Sequence, residues 1–173
     1  MDLDAVSNLN PDYRLLIEYW RERRREAALA PYFRDFELMD LYSVAARIVI
    51  VDAETSANGA PIYRWRYAGS ELREFIGVEL TGRYLHDTAD ELTARDTENI
   101  YAELARNGGH HFWERKLGLM GGERSFLRYS RLVLPLLGAD DTVRHYIGLY
   151  VMPFGGAGPD AQKPETWSLL PEK

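Results

Sequence analysis

Ile62-Tyr63-Arg64-Trp65-Arg66-Tyr67-Ala68-Gly69-Ser70 alternates rings with arginines and then closes on a glycine and a serine. Successive side chains of an extended chain point to opposite faces. Tyr63, Trp65 and Tyr67 are therefore expected on one face, and Arg64 and Arg66 on the other, which is the pattern of a half-buried strand. Upstream, Arg47-Ile48-Val49-Ile50-Val51-Asp52 is a β-branched run with strand character. Between the two lies Asn58-Gly59, a turn signal that folds them into an antiparallel hairpin.

Downstream of the hairpin, Ser70 is placed to cap a short helix bearing Leu72, Phe75 and Ile76, with Gly77 as its stop. A longer helix is expected over 89–106, with Leu92, Ile100, Tyr101 and Leu104 on one side and Asn107-Gly108-Gly109 ending it. Three strands follow, over 110–119, 125–137 and 144–153. Gly121-Gly122 and Ala139-Asp140-Asp141 turn the chain between them. Pro135 sits near the end of the middle strand, where a missing donor is tolerated. Upstream of the hairpin, Asn10-Pro11-Asp12 opens a helix over 12–28 that Pro31 terminates. Leu15, Leu16, Tyr19, Trp20 and Arg23 share one side of it. Helices and strands in separate blocks argue an α+β fold with an antiparallel sheet.

The chain has 173 residues, enough for one domain with appendages. Hydrophobic residues make up 46 % and charged residues 28 %, so a packed core is available and disorder of the main body is not expected. The net charge of -6 argues against a general nucleic-acid binder, which needs a positive field to capture phosphates. The basic run at Arg21, Arg23, Arg24 and Arg25 reads as a solvated helix face. Cysteine is absent, which excludes disulfides, cysteine nucleophiles and cysteine-ligated zinc. The opening Met1-Asp2-Leu3-Asp4 is not a signal peptide, and no stretch approaches the roughly 18 apolar residues of a membrane span. A cytoplasmic location is expected.

The order β-β-α-α-β-β-β is similar to the PAS fold, and the local sequence is closer still to its stand-alone bacterial branch, formerly a domain of unknown function. Tyr19-Trp20-Arg21 resembles that branch's opening tyrosine-tryptophan element. Asp35-Phe36-Glu37-Leu38-Met39-Asp40-Leu41 resembles its acidic-hydrophobic lead-in, with Leu38 where a proline is common. The strand quoted first, then Leu80-Thr81-Gly82-Arg83 and Arg131-Leu132-Val133-Leu134-Pro135-Leu136, complete the resemblance over about residues 13–153. It implies a five-stranded antiparallel sheet in the order 2-1-5-4-3, helices over one face enclosing a small-molecule pocket, and an N-terminal helix outside the core that packs on a partner subunit. The division implied is an N-terminal helical extension over 1–31, a PAS-like domain over 32–154 and a flexible tail over 155–173.

Within that frame the rings Trp65, Tyr67, Tyr84, Tyr101, Trp113 and Tyr129, with Phe75 and Leu104, are the expected ligand-binding set, opposed by the plainer reading of core packing. Arg115 or Arg131 is placed to meet an anionic ligand. Leu15, Leu16, Tyr19 and Trp20 are the expected homodimer interface. No metal site is expected: His86, His110, His111 and His145 lack ligand spacing, and neighbours on a strand face opposite ways. No cofactor is identified. The missing cysteine excludes cysteine-linked flavin photochemistry, and the absence of a histidine on either pocket helix argues against haem.

No nucleophile elbow or phosphate loop is present, and the carboxylates Asp87, Asp90, Glu91, Asp96 and Glu98 suit a helix N-terminus. The expectation is a binding module and not an enzyme: a sensor or adaptor without its own output domain, with a small-molecule ligand and a protein signalling partner, and with neither nucleic acid nor membrane. The alternative is a cone-shaped α+β isomerase or dehydratase, which would need His111 or Asp96 facing inward beside a tyrosine.

Overall fold

The computed structural model describes residues 1–89, 91–118 and 126–152. The expected turn at Gly121-Gly122, the tail over 155–173, Asp90 and the Arg115 side chain lie outside the described residues. Five strands form one antiparallel sheet in the order β2-β1-β5-β4-β3. They are β1 Ile48–Thr55, β2 Pro61–Ala68, β3 His111–Gly118, β4 Phe126–Leu137 and β5 Val143–Val151. The helices are α1 Leu3–Ser7, α2 Pro11–Arg23, α3 Ser70–Ile76 and α4 Glu91–Asn107.

Residues opposite each other in antiparallel strands share a face of the sheet. One face therefore carries the rows Pro135–Tyr146–Val51–Trp65 and Trp113–Arg131–Tyr150. Tyr101 of α4 and Phe75 of α3 make ring contacts to this face, which we call inner. The outer face carries the rows Phe112–Leu132–Leu149–Ile48 and Leu134–Ile147–Ile50. With both faces covered, β1 opens on four buried apolar residues in succession, Ile48 to Val51, with the buried Asp52 after them.

The leading helix stands apart from the α3–α4 layer but not from the core. α2 lies on the outer face, where Tyr13 meets Phe112 edge-on at 5.6 Å and shares a hydrogen bond with Ser130 at 2.7 Å. Trp20 donates its indole N–H to the Pro135 carbonyl at 2.9 Å. Leu16, Tyr19 and Trp20 are buried by these contacts at 0, 7 and 3 % exposure, so the chain's own sheet occupies the side expected to face a second subunit. Leu15 alone of that set remains half-buried. The physical reason is that a sheet with apolar residues on both faces needs cover on both.

α2 begins as expected, with Asn10 accepting from the Asp12 N–H at 2.8 Å and Pro11 in the first turn. It ends at Arg23, short of 28, because Trp20 is the last ring able to bury. Arg23 folds back with its guanidinium carbon 3.4 Å from the Tyr19 ring centroid and donates to the Asp35 carbonyl at 3.0 Å.

Two junctions place α3. Ser70 is its first residue and not its cap; Gly69 holds the cap position. A Cβ on Gly69 would lie 2.2 Å from the Ala46 carbonyl oxygen, so this position admits glycine by close approach. Gly77 then ends the helix in the left-handed region at φ 82. α4 turns Ala94, Thr97, Tyr101 and Leu104 inward, not Leu92, which is 66 % exposed. The stripe at spacings of three and four starts from Ala94; the one through Leu92 would bring Asp96 and Glu103 to the sheet.

An ionic cluster stiffens the outer side of the hairpin. Asp52, 3 % exposed, accepts from Arg66 at 2.7 Å, Arg64 at 3.1 Å and the His145 ring at 2.8 Å. Burial pushes its pKa up, but the His145 and Arg66 hydrogen bonds outweigh burial and hold it below the ordinary 3.8. A lowered carboxylate contributes stability above its unfolded value and loses it as pH falls through the folded one. The urea midpoint is thus expected to fall as the pH drops below about 5 and on through the folded value, and to fall less in Asp52→Asn. Equal acid sensitivity of the two proteins would remove Asp52 from this account.

Candidate functional site

Between the inner face and the α3–α4 layer lie rings in two groups, with Val51, Val133 and Leu104 among the aliphatic residues beside them. Tyr101 stacks on Tyr146 with centroids 4.3 Å apart, and Tyr63 meets both at 5.0 and 6.1 Å. The Tyr146 hydroxyl donates to the Tyr101 carbonyl at 2.8 Å. Burial raises the pKa of Tyr63, Tyr101 and Tyr146, so this group stays neutral through the physiological range. Trp65 is buried on the same face, its indole N–H donated to Thr88 at 3.0 Å.

The second group surrounds a charge. Arg131 on β4 is 4 % exposed. Its guanidinium carbon lies 5.0 Å from the Trp113 centroid and 5.9 Å from the Tyr150 centroid. Its Nη1 donates to the Tyr150 hydroxyl at 3.4 Å, near the limit for a hydrogen bond. Tyr129 stands edge-on to Trp113 at 4.9 Å, and Phe75 meets Tyr129 at 5.6 Å. Desolvation opposes the charge, and the Tyr150 and Tyr101 oxygens outweigh it, so the group is held above its ordinary pKa. The Nε atom is buried with no hydrogen-bond partner. No carboxylate among the described residues forms an ion pair with this guanidinium.

Of the expected ligand-binding residues, Trp65, Phe75, Tyr101, Leu104, Trp113 and Tyr129 belong to this inner layer. Two do not. A β-bulge between Ile50 and Val51 makes Tyr67 oppose Ile50, on the outer side, where its hydroxyl donates to the Ala45 carbonyl at 3.0 Å. Arg66, the extra residue, turns to Asp52. Tyr84 bridges Arg64 along the edge of β2 away from β1, where Gly82 and Arg83 bond the Trp65 backbone, and donates to Glu54 at 3.2 Å. Three contributors were missed. Tyr63, Tyr146 and Tyr150 each obey the period of two on their strands, and following 146, 148 and 150 along the last strand reveals the latter pair.

The four histidines are dispersed. His86 is exposed beside Asp87, His110 meets the Met1 carbonyl, His111 opposes Val133 on β3, and His145 pairs with Asp52. No cluster of three or more metal-ligating side chains occurs among the described residues. Asp96 is exposed on α4. A cleft of about 400 Å³ lies on the outer side between Asp52, Arg66, Gly138, Arg144 and His145. Its charges already pair with one another, Arg66 with Asp52 and Arg144 with Asp140 at 2.7 Å each. The inner layer, with a cation left over, is the stronger candidate.

No curated protein matches the chain. Among solved structures it is similar to the PAS domain of Bordetella pertussis BvgS, at 15 % identity and a TM-score of 0.46, covering 62 % of this chain and 76 % of that one. A light-oxygen-voltage domain studied with a flavin analogue aligns at 19 % identity and 0.44, covering 68 % and 85 %. A PAS domain from Colwellia psychrerythraea aligns at 12 % identity and 0.40, covering 67 % and 97 %. No helix among the described residues is long and apolar enough to cross a membrane. The family described as PAS domain matches residues 10–151, most of the length, and the chain therefore belongs to that family of sensory and signalling modules.

Proposed function

We propose that this module holds a small molecule between its inner face and α3–α4 and passes the change on through α2 to a protein partner. The observation that carries the reading is Arg131, a guanidinium buried among rings with no opposing carboxylate among the described residues. Burying an unpaired charge opposes folding, so its presence points to a use beyond packing. Among the described residues the layer offers rings and one fork of donors, a set suited to holding a molecule in place, not to converting it.

Strand β4 supplies the route outward. Arg131 faces the inner layer, while its neighbour Ser130 bonds Tyr13 of α2, and the Pro135 carbonyl further along bonds Trp20. A shift of β4 on ligand binding therefore moves two anchors of α2. Assembly with a second copy, part of the same proposal, uses the exposed side of α2 near Leu15 and leaves the ring side in the core. A cytoplasmic location accords with the cysteine-free composition.

Native mass spectrometry of protein purified from its own host tests this. A population heavier than the 19.9 kDa chain, whose added mass is released on denaturation, is expected. Bare chain alone would count against a held molecule.

A further inference from the structure

The unpaired edge of Arg131 identifies the chemistry of what is held. The other described arginine side chains on the sheet have partners: Arg64 bonds Asp52 and Glu54, Arg66 bonds Asp52 and Arg144 bonds Asp140. This fold thus pairs strand arginines with carboxylates of its own. Arg131, more deeply buried than these, instead has a tyrosine hydroxyl at 3.4 Å and a bare Nε. Tyr101 near it brings no counter-charge, since burial keeps it protonated.

Resting on the function proposed above, we propose that the ligand is a small monocarboxylate with a flat apolar body, its carboxylate docked on the Nε edge of Arg131. Three features select that class. The Nε–H and an adjacent Nη–H of a guanidinium point in parallel, at the spacing of two carboxylate oxygens, so a carboxylate satisfies the bare donor with a fork of two bonds. Among the described side chains the site holds one positive charge, so one negative charge neutralises it. A phosphate dianion would leave an excess charge in a dry site. The walls are ring surfaces, Trp113 at 5.0 Å and Tyr150 at 5.9 Å from the guanidinium, with Tyr129 and Phe75 beyond. Such walls take an apolar or aromatic body and offer little to a polyhydroxylated one.

The full chain, refolded from denaturant, is titrated with phenylacetate, with the uncharged isostere phenylacetamide, and with inorganic phosphate. Heat of binding and tryptophan fluorescence are read, because Trp113 borders the guanidinium. Phenylacetate is expected to bind and to change the fluorescence, and the other two probes to bind at least about tenfold more weakly. Arg131→Met is expected to weaken phenylacetate about a hundredfold or more. Arg131→Lys keeps the charge but loses the fork, and is expected to weaken it about tenfold. Phosphate binding as tightly as phenylacetate would overturn the monocarboxylate class. Equal binding of phenylacetamide, or undiminished binding by both variants, would overturn the role of the charge. Either result leaves the sensing proposal standing if host-purified protein carries a compound. Failure of every probe together with bare host protein would sink both.

Discussion

Trp20→Ala is expected to cost about 4 kcal/mol of unfolding free energy, a large share of what a domain of this size has. The indole is 3 % exposed and its N–H is bonded to the Pro135 carbonyl across the sheet. Alanine leaves a cavity under α2 and removes that carbonyl's indole donor, so packing and hydrogen bonding are lost together. Arg24 lies over the same ring at 5.4 Å but is exposed, and Arg24→Ala should cost under about 1 kcal/mol. Urea unfolding of the two variants measures the contrast. A near-neutral Trp20→Ala that instead dissociates an oligomer would return the ring side of α2 to a subunit interface.

Removal of residues 1–31 is expected to have a larger effect. The outer rows Phe112–Leu132–Leu149 and Leu134–Ile147 lie under α2, and the Pro31 carbonyl accepts from the Leu137 N–H at 2.8 Å at the end of β4. Without that segment a contiguous apolar face meets water, beyond what monomeric domains usually expose. The truncated chain should aggregate, or remain collapsed and bind a hydrophobic dye, with weak near-ultraviolet dichroism. A soluble, cooperatively unfolding fragment over 32–173 would show that the leading segment is an appendage after all.

The sheet was legible because its strands announce themselves locally. Β-branched runs, the Asn58-Gly59 turn and the alternation from Ile62 to Ala68 need no tertiary knowledge. Helix limits depended on partners: α2 stops where the sheet has no more to bury, and Leu92 loses its place to Ala94 because Asp96 and Glu103 lie on its stripe. The site was legible in part for a similar reason. Alternation puts Trp65 inward correctly, but the bulge at Ile50 and Val51 inverts everything beyond it, so Tyr67 goes outward. Arg131 carried no local signal of its burial. Its environment comes from Trp113 and Tyr150 on two neighbouring strands, and only their register shows that a cation is enclosed by rings.

That enclosure leads to the most direct test. A residue kept for a ligand, and not for the fold, weakens the empty protein, and replacing a buried charge by an apolar side chain of similar length often stabilises by about 1–4 kcal/mol. Arg131→Met, refolded free of any host compound, should therefore unfold at the same or a higher urea concentration than the wild type. A loss of about 3 kcal/mol or more would mean that Arg131 holds the sheet together, and would contradict its assignment to a ligand.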